Sequence, residues 1–199
     1  MIIFENFPKS QPYQEFMRFY KLASSARQRN IDAITISSYN KDSNEVDSRM
    51  VNLKYIVDQE WIFFSNYKSK KAFDFLSHSQ ISGLIFWPDI NLQLRMKAKI
   101  NYSLQETSDK HFSKRNKEKN ALAISSKQSR PIHTYEGVIE NYNQIYKKKN
   151  ILNNRPSYWG GYSFYPYSFE FWAGHNSRLN KRVLYKIAGG RWEKSFLQP

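Results

Sequence analysis

The segment LQLRMKAKINY, residues 92–102, alternates apolar and polar side chains from its first residue to its last. Its apolar and aromatic members fall on every second position, from Leu92 to Tyr102. The intervening residues are polar and mostly basic: Gln93, Arg95, Lys97, Lys99 and Asn101. A repeat of two residues is typical of a β-strand with one face in the core and one in solvent. The segment therefore predicts a long strand with a basic outer face.

Further strands are predicted on both sides of this segment. Before it, residues 33–39 and 46–57 flank a turn rich in Asn, Asp and Ser and predict a hairpin, and residues 61–65 and 81–87 predict two more strands. After it, residues 162–172, 183–188 and 191–196 predict three strands. The glycine pair at 189–190 suits a two-residue turn between the last two.

Helical spacing of apolar residues is found from Pro12 to Ala23 and over residues 106–127 and 134–149. The strands follow one another without a regular βαβ repeat. The sequence therefore predicts a mainly β fold, an antiparallel barrel with peripheral helices.

The composition predicts one domain with a strongly basic surface. The 199 residues include 31 Lys and Arg against 17 Asp and Glu, so the net charge is +14. An excess of this size suits an anionic partner, such as nucleic acid, a membrane surface or a phosphorylated small molecule. We expect a single domain over residues 1–199, with residues 1–11 as a flexible amino-terminal segment.

Several kinds of site are excluded or disfavoured by residues that the chain lacks. It has no cysteine, which excludes disulfides, thiol nucleophiles and cysteine-bound metals and suits a reducing cytoplasm. The seven glycines form no Rossmann or P-loop motif, and the four histidines show no metal-ligand spacing. No stretch approaches the roughly 18 apolar residues of a membrane span, and the amino terminus lacks the pattern of a secretion signal.

Two adjacent lysines at a predicted helix start are the clearest local sign of an anion site. Ser69 suits the N-cap of a helix that runs through Ala72 and Leu76, so Lys70 and Lys71 fall in its first turn. Cations at that position oppose the helix dipole, and a bound phosphate would compensate them. The alternative is a pair of solvated lysines on an exposed turn.

Two other segments combine basic and aromatic residues. Arg49 and Lys54 are five positions apart, so they project from opposite faces of a regular strand. The segment PSYWGGY, residues 156–162, places two glycines beside Trp159, and Trp172 and Arg178 follow. Glycine allows close approach of the backbone, and a flat ring can lie beside a guanidinium. The alternatives are a solubilising role for the basic residues and core packing for the aromatic ones.

Together these motifs resemble the pyridoxine/pyridoxamine 5′-phosphate oxidase family. The resemblance runs in register from about residue 12 to residue 199 and rests on spaced motifs in the family's order. They are RMVNLK at 49–54, FSN at 64–66, SKK at 69–71, Gln93, KQS at 127–129, WGG at 159–161, EFW at 170–172 and Arg178-Leu179. The resemblance implies an FMN-binding split barrel, a homodimer, and a flavin at the dimer interface that contacts both subunits.

The family's flavin contacts fall on residues spread along the chain. By matching position they are Arg49, Met50, Val51, Asn52, Leu53, Lys54, Phe64, Ser65, Lys70, Lys71, Gln93, Gln128, Ser129, Trp172 and Arg182. Lys70 stands where the family usually has arginine, which keeps the charge and loses the bidentate fork. The resemblance implies that the two helix-start lysines hold the FMN phosphate.

The family's substrate contacts are kept less faithfully. They fall on Lys54, His111, Arg115, Lys119, Arg178 and Asn180, and the family has tyrosine, serine and histidine in place of His111, Lys119 and Asn180. Lys54, Arg115 and Lys119 retain the charge to hold a phosphate. Asn180 differs most in chemistry, because an amide does not change protonation state as an imidazole does. Arg178 is implied to lie beside the reacting carbon.

The leading hypothesis is an FMN-dependent oxidase that uses O2 to convert pyridoxamine 5′-phosphate or pyridoxine 5′-phosphate to pyridoxal 5′-phosphate. One alternative is a flavin-binding relative with another substrate or a reductase activity, suggested by the changes at His111, Lys119 and Asn180. A more remote alternative is a nucleic-acid-binding protein, suggested by the basic stretches 110–119 and 147–149. Those stretches lie on predicted helices whose opposite faces are apolar, as in a solvated helix.

Overall fold

Ten strands of the computed structural model, which describes residues 1–199, join in one sheet, and five α-helices lie around it. The strands are β1 (Ile3–Glu5), β2 (Ala33–Asn40), β3 (Glu45–Asn52), β4 (Tyr55–Val57), β5 (Glu60–Asn66), β6 (Gln80–Trp87), β7 (Leu92–Tyr102), β8 (Trp159–Ala173), β9 (Lys181–Ala188) and β10 (Arg191–Leu197). The helices are α1 (Gln11–Ser25), α2 (Lys70–Ser77), α3 (Gln105–Lys114), α4 (Lys117–Ser125) and α5 (Tyr135–Tyr146). The predicted mainly β class with peripheral helices is confirmed. None of the helices combines the length and the apolar character that crossing a membrane requires.

The sheet is organised around β8, because this strand has three neighbours. β7 pairs with it along its whole length, and its other edge is shared between β5, at residues 159–164, and β9, at residues 168–173. The strand order is β1-β4-β5-β8-β7-β6-β2-β3, with β9 and β10 branching from β8. All pairs are antiparallel except β1 with β4. The sheet does not close on itself, since β1 and β3 are its ends.

The alternating segment 92–102 forms β7, as predicted. Its inward side chains from Leu92 to Ile100 are at most 2 % exposed, whereas the basic residues between them face outward. α1 covers this core with its aromatic residues, and the ring centroids of Phe16 and Trp61 are 4.6 Å apart. α1 has Pro12 in its first turn, where a missing N–H removes no helical hydrogen bond.

A β-bulge interrupts the pairing of β7 with β8. Lys97 pairs with Ser168 and Ala98 pairs with Pro166, so Tyr167 is an extra residue on β8. Proline suits this position because it lacks the N–H that a regular ladder would use. Phe164 and Phe169 are both fully buried in the core. An odd spacing would send them to opposite faces of a regular strand, so the bulge restores the inward direction.

The structure departs from the predicted elements in three places. The amino-terminal segment expected to be flexible contains β1, which pairs with β4, and Ile2 beside it is buried because its apolar side chain joins the core. The helix predicted over 106–127 is two helices. Asn116 separates them and caps α4, where its Oδ1 accepts the N–H of Lys119 at 3.1 Å. The strand predicted over 46–57 is broken after Asn52, between β3 and β4.

Candidate functional site

A cavity of about 660 Å³ opens between β3, β5 and the helices α3 and α4. Its 14 lining residues include no carboxylate and five cations: Lys54, Lys71, Lys114, Arg115 and Lys119. A concave site with this imbalance of charge attracts anions. We refer to it as the cationic cavity. No cluster of His, Asp or Glu that could hold a metal ion is present in the chain.

The cationic cavity gathers residues that the sequence assigns to the flavin and to the substrate. They are Met50, Val51, Asn52, Lys54, Phe64, Ser65, Lys71, His111, Arg115, Lys119 and Gln128. Gln128 connects the loop after α4 to β5, since its Oε1 accepts hydrogen bonds from the Ser65 hydroxyl at 3.4 Å and the Asn66 N–H at 3.3 Å. Residues that are distant in the sequence thus meet at one surface.

Lys71 is the helix-start lysine that faces the cavity. It is 8 % exposed, and its Nζ lies 3.4 Å from the Ser69 Oγ. Ser69 stands at the N-cap as predicted, but its hydroxyl donates to the Asn66 carbonyl at 2.7 Å instead of capping α2. Burial, with the charge of Arg49 adding to it, lowers the pKa of the Lys71 ammonium. A bound anion would oppose both effects, so Lys71 fits one end of an anionic ligand.

Arg49, Leu53 and Lys70 are next in the chain to residues that line the cationic cavity, but their own side chains do not reach it. Lys70 is exposed and its Nζ lies 3.4 Å from Asp47, because neighbouring residues of a helix point in different directions. Leu53 is fully buried in the core, where an apolar side chain is stable, so only its backbone is available to a ligand. Arg49 is turned inward and forms an ion pair with Asp74 at 2.9 Å.

Three stacked rings form an aromatic wall of the cavity. The ring centroids of Phe64 and His111 are 3.8 Å apart with planes 7° apart, and Trp159 is nearly parallel to both. The Nδ1 of His111 lies 2.9 Å from the hydroxyl of Tyr55. Burial, reinforced by the nearby cations, lowers the pKa of His111 to about 4. The imidazole is therefore neutral at pH 7.

Arg115 presents a buried donor that has no partner in the chain. Its Nη1 is unpaired, while its Nη2 donates to the Lys119 carbonyl at 3.3 Å and its guanidinium carbon lies 4.4 Å from the Trp159 ring centroid. Burial lowers the pKa of Arg115 to about 10, which leaves it charged at pH 7. An unpaired buried donor is costly, and an anionic oxygen would satisfy it. Arg115 is thus suited to hold a phosphate or carboxylate.

Lys54 is held in place by an acidic residue outside the cavity lining. Its Nζ lies 2.9 Å from the Asp32 carboxylate. Burial of Asp32 opposes ionisation, but the hydrogen bond and charge of Lys54 outweigh it, so the pKa of Asp32 lies below its usual value. This pairing fixes the position of Lys54 and reduces its net charge toward a ligand.

The two glycines beside Trp159 serve packing within the chain. A side chain at Gly160 would overlap the Tyr67 hydroxyl, and one at Gly161 would overlap Ser103. The close backbone approach predicted at these glycines is therefore an approach of β8 to Tyr67 and Ser103 of the same chain. It also lets β8 begin at Trp159, three residues before the predicted strand start.

The remaining site residues, except Ser129, lie at the far end of β8. We call them the distal group: Gln93, Trp172, Arg178, Asn180 and Arg182. Gln93 pairs with Trp172 and Trp172 pairs with Arg182 across neighbouring strands. The cavity end of β8 is marked by Gly161, which pairs with Phe64. At about 3.3 Å per residue, the path along β8 from Gly161 to Trp172 measures roughly 35 Å.

Polar contacts within the chain fix the distal group. The Asn180 Oδ1 accepts the N–H of His175 at 3.0 Å, so it stabilises the loop between β8 and β9. Arg182 donates from Nε to Glu170 at 2.9 Å and from Nη1 to the Gln198 carbonyl at 2.9 Å. Arg178 has a φ of 59°, in the left-handed region that non-glycine residues adopt at a cost.

Ser129 lies beside the cationic cavity rather than in it. It lines a second cavity of about 460 Å³ between the loop after α4 and α5, and its φ is 70°. Gln128 lines both cavities. The turn at Ser129 therefore keeps its side chain out of the cationic cavity, although the side chain of the preceding residue, Gln128, lines it.

Lys114, Asp32 and Tyr55 lie at the site and were not predicted from the sequence. Lys114 adds a cation to the lining, Asp32 pairs with Lys54, and Tyr55 contacts His111. Lys114 could have been found, since it directly precedes Arg115 at the predicted phosphate position. The other two contact residues that are distant in the sequence, Lys54 and His111, and no local pattern marks them.

Comparison with known proteins places these features in a family. The model for the pyridoxine 5′-phosphate oxidase C-terminal dimerisation region matches residues 159–199, which hold β8 to β10 and the distal group except Gln93. Relatives named pyridoxine/pyridoxamine 5′-phosphate oxidase match almost the whole chain. The one from Cupriavidus necator is 32% identical over 190 residues, and the one from Haemophilus influenzae is 31% identical over 188 residues. Both alignments cover 94% of this chain and 89% of the relative.

Two solved structures show the same fold. PhzG from Burkholderia lata, in complex with tetrahydrophenazine-1-carboxylic acid, has a TM-score of 0.90 and 26% identity, with 96% of this chain and 94% of PhzG covered. A pyridoxamine 5′-phosphate oxidase-related, FMN-binding protein from Nostoc punctiforme has a TM-score of 0.73 and 11% identity, with 96% of this chain and 100% of that chain covered.

Proposed function

Because the chain belongs to the pyridoxine/pyridoxamine 5′-phosphate oxidase family, we propose that it is an FMN-dependent oxidase. Its fold is the split barrel of that family. In this proposal pyridoxamine 5′-phosphate or pyridoxine 5′-phosphate is oxidised to pyridoxal 5′-phosphate, and O2 is the electron acceptor. The observation that carries the proposal is the cationic cavity, where five cations and no carboxylate adjoin a stacked aromatic wall. A flat, phosphorylated molecule matches both features.

The residues of the cavity fit FMN as the cofactor. Lys71 and Ser65 would hold its phosphate, and residues 50–52 with Gln128 would hold the remainder. The desolvated ammonium of Lys71 supports this assignment, because a phosphate would restore the interactions that burial removes. The chemistry that FMN supplies when bound is acceptance of a hydride equivalent and transfer of both electrons to O2, with release of hydrogen peroxide.

The substrate phosphate is assigned to the cations on the α3 side of the cavity. Arg115 offers its unpaired Nη1, Lys119 adds charge from α4, and Lys54 adds charge from the connection between β3 and β4. Neutral His111 can add a hydrogen bond without adding charge. The ordered loop that carries Arg178 suits a residue that orients the reacting carbon, because its backbone is fixed in a strained conformation.

A homodimer would bring the two parts of the site together. The distal group is separated from the cationic cavity by roughly 35 Å of β8, so one ligand does not bridge them within a subunit. The match to a dimerisation region over residues 159–199 supports completion of each cavity by the partner's distal group. Large exposed apolar side chains support the same arrangement, among them Val46, Met50 and Phe196, each at least 68 % exposed.

A second candidate is a flavin oxidase of the same fold with a different anionic substrate. Lys114 and Lys119 join Lys54 and Arg115, so four cations face the substrate position. PhzG, at 26% identity, was solved with a carboxylic acid of another ring system. A related fold and cavity are therefore compatible with a substrate that is not a vitamin B6 phosphate.

Peroxide release separates these candidates. Flavin-saturated protein is incubated with pyridoxamine 5′-phosphate, pyridoxine 5′-phosphate and tetrahydrophenazine-1-carboxylic acid in parallel assays. We expect turnover with at least one of the two B6 phosphates. Absence of turnover with both, in protein whose flavin spectrum shows full loading, would reject the proposed substrate and favour the second candidate.

A further inference from the structure

Tyr55 and His111 form a pair in which only His111 lines the cationic cavity. Tyr55 is on β4 and His111 is on α3, and the 2.9 Å contact between Oη and Nδ1 joins the two elements. The Tyr55 ring also packs edge-on against Phe64, with centroids 6.1 Å apart and planes 79° apart. The imidazole is thus held on its face by Phe64 and at its Nδ1 by Tyr55.

The second ring nitrogen of His111 is free to bind a ligand. His111 lines the cationic cavity, and no residue of the chain forms a hydrogen bond with its Nε2. Since Tyr55 occupies Nδ1 and His111 lines the cavity, Nε2 is the ring nitrogen that remains for a ligand. Any group that it contacts there lies among the cations of the cavity.

The protonation state of His111 decides what Nε2 can offer. Lys54, Lys114, Arg115 and Lys119 all disfavour a second proton on the ring, and the imidazole is neutral at pH 7. A neutral imidazole donates from one nitrogen and accepts at the other. An anionic oxygen needs a donor, so a ligand of this cavity requires the hydrogen on Nε2. Nδ1 must then accept, and a phenol hydroxyl can donate to it.

We propose that Tyr55 is a positioning residue that donates its hydroxyl hydrogen to Nδ1 and holds His111 as the Nε2–H tautomer, which donates to an anionic oxygen of the ligand. The inference rests on the proposed function only in identifying that oxygen with the substrate phosphate. Tyr55 itself does not line the cavity. It acts through His111 and selects for a ligand that accepts a hydrogen bond there.

The test uses inorganic phosphate as the probe, so that it does not depend on turnover. Nitrogen-15 NMR of FMN-loaded protein with labelled histidine is recorded with saturating phosphate, and a His111→Phe spectrum assigns the signals. We expect a protonated Nε2 and an unprotonated Nδ1 in the wild type. We expect Tyr55→Phe to give a mixture of both tautomers. A wild-type signal from the Nδ1–H tautomer or from imidazolium would overturn the proposal.

A double-mutant cycle measures the coupling in phosphate affinity. Tyr55→Phe keeps the ring contacts and removes the hydroxyl, and we expect it to raise the dissociation constant of phosphate about tenfold. In a His111→Phe background the same change should have no further effect. Tyr39→Phe, which removes a hydroxyl bonded to the exposed Asn44, is the matched control and should leave the constant unchanged. Equal effects of Tyr55→Phe in both backgrounds would reject the coupling.

Failure of the proposed function would give a different result. If the protein shows the expected tautomer and coupling but does not oxidise B6 phosphates, the anion site at His111 is supported and the proposed substrate is rejected. The opposite result is also distinguishable. If the protein oxidises B6 phosphates, and Tyr55→Phe matches the wild type in tautomer and phosphate affinity, the role of Tyr55 is rejected and the proposed function stands.

Discussion

The guanidinium of Arg49 on β3 lies 2.9 Å from the carboxylate of Asp74 on α2, and Asp74 is 1 % exposed. Asp74 also accepts hydrogen bonds from Ser38 at 2.9 Å and from Asn40 at 3.0 Å. The ion pair therefore joins the sheet to the helix that carries Lys71. In this structure Arg49 fixes two elements of the cationic cavity relative to each other.

Replacement of Asp74 by asparagine is expected to lower the free energy of unfolding by about 2 kcal/mol, because Arg49 would lose its buried counter-charge and keep only the more exposed Asp47, 3.3 Å away. Urea unfolding of the FMN-free protein measures this change. Asp42→Asn, in the exposed turn between β2 and β3, removes the same charge and should cost less than about 0.5 kcal/mol. Similar losses in the two variants would show that the buried ion pair has no special role.

Lys71→Glu is expected to weaken FMN binding by at least about 1 kcal/mol, since a charge-assisted contact is lost and a repulsion is introduced. Flavin fluorescence titration gives the dissociation constant. Lys68→Glu makes the same change in charge at an exposed residue outside the cationic cavity and serves as the control. Unchanged affinity in Lys71→Glu would remove this residue from the flavin site.

Mixed dimers test whether each site is built from two subunits. Lys71→Glu and Arg178→Ala each impair one part of the proposed site, and both homodimers should lose most of their turnover. If the parts come from different subunits, a dimer with one chain of each kind has one intact site and one doubly impaired site. Co-expressed, differently tagged chains should then recover about half of the wild-type turnover per dimer, a statistical expectation for one site of two. No recovery in purified mixed dimers would place both residues in the same subunit's site.

The stability of the protein should depend on pH through His111. The pKa of His111 is about 4 in the folded chain against an ordinary value of 6.5, so the unfolded chain binds more protons between these values. The free energy of unfolding therefore rises with pH from about 4 to 6.5 and falls on acidification through that window. In His111→Phe, the change in the free energy of unfolding across this pH window should be smaller by roughly 1–2 kcal/mol, after allowance for solvent screening. Urea unfolding at several pH values would contradict the assignment if both proteins gave the same slope.

Asn180→His is expected to raise turnover of pyridoxamine 5′-phosphate several-fold, because it would return a group that can change protonation state to a position that the family resemblance assigns to the substrate. Peroxide release from flavin-saturated protein is the measurement. Asn180→Ala is the control for the loop, since it removes the hydrogen bond to the His175 N–H without adding a titratable group. A decrease of equal size in both variants would show that Asn180 matters only for the loop.

The strands were predictable because their signal is local. β7 follows from its two-residue period, and the hairpin of β2 and β3 follows from the turn residues between them. The break between α3 and α4 was also readable, because Asn116 followed by Lys117 and Glu118 is a typical helix start. The helical pattern on both sides concealed it.

Apart from the lysine pair at the start of α2, which local sequence marks as an anion site, the site was predictable only as far as the family resemblance assigns positions. Arg49 was implied as a flavin contact, but its partner Asp74 is 25 residues away and nothing in the local sequence marks the pair. Tyr55 and His111 are 56 positions apart and meet only because β4 and α3 adjoin. The different directions of Lys70 and Lys71 follow from the 3.6-residue turn of a helix, which fixes their separation but not which one faces the cavity.

The bulge at Tyr167 determines which side chains of β8 face the core. On one side of it the strand presents Phe164 to the core, and on the other side it presents Phe169 and Phe171. Insertion of one more residue at this point would leave the cavity end of β8 in place and reverse the rest, so that Phe169 and Phe171 would face out and Trp172 would face in. Deletion of Tyr167 would instead remove the bulge and leave Phe164 and Phe169 four positions apart, on the same face of a regular strand. The distal half of β8 therefore tolerates the loss of one residue here, whereas the gain of one would exchange its buried and exposed surfaces.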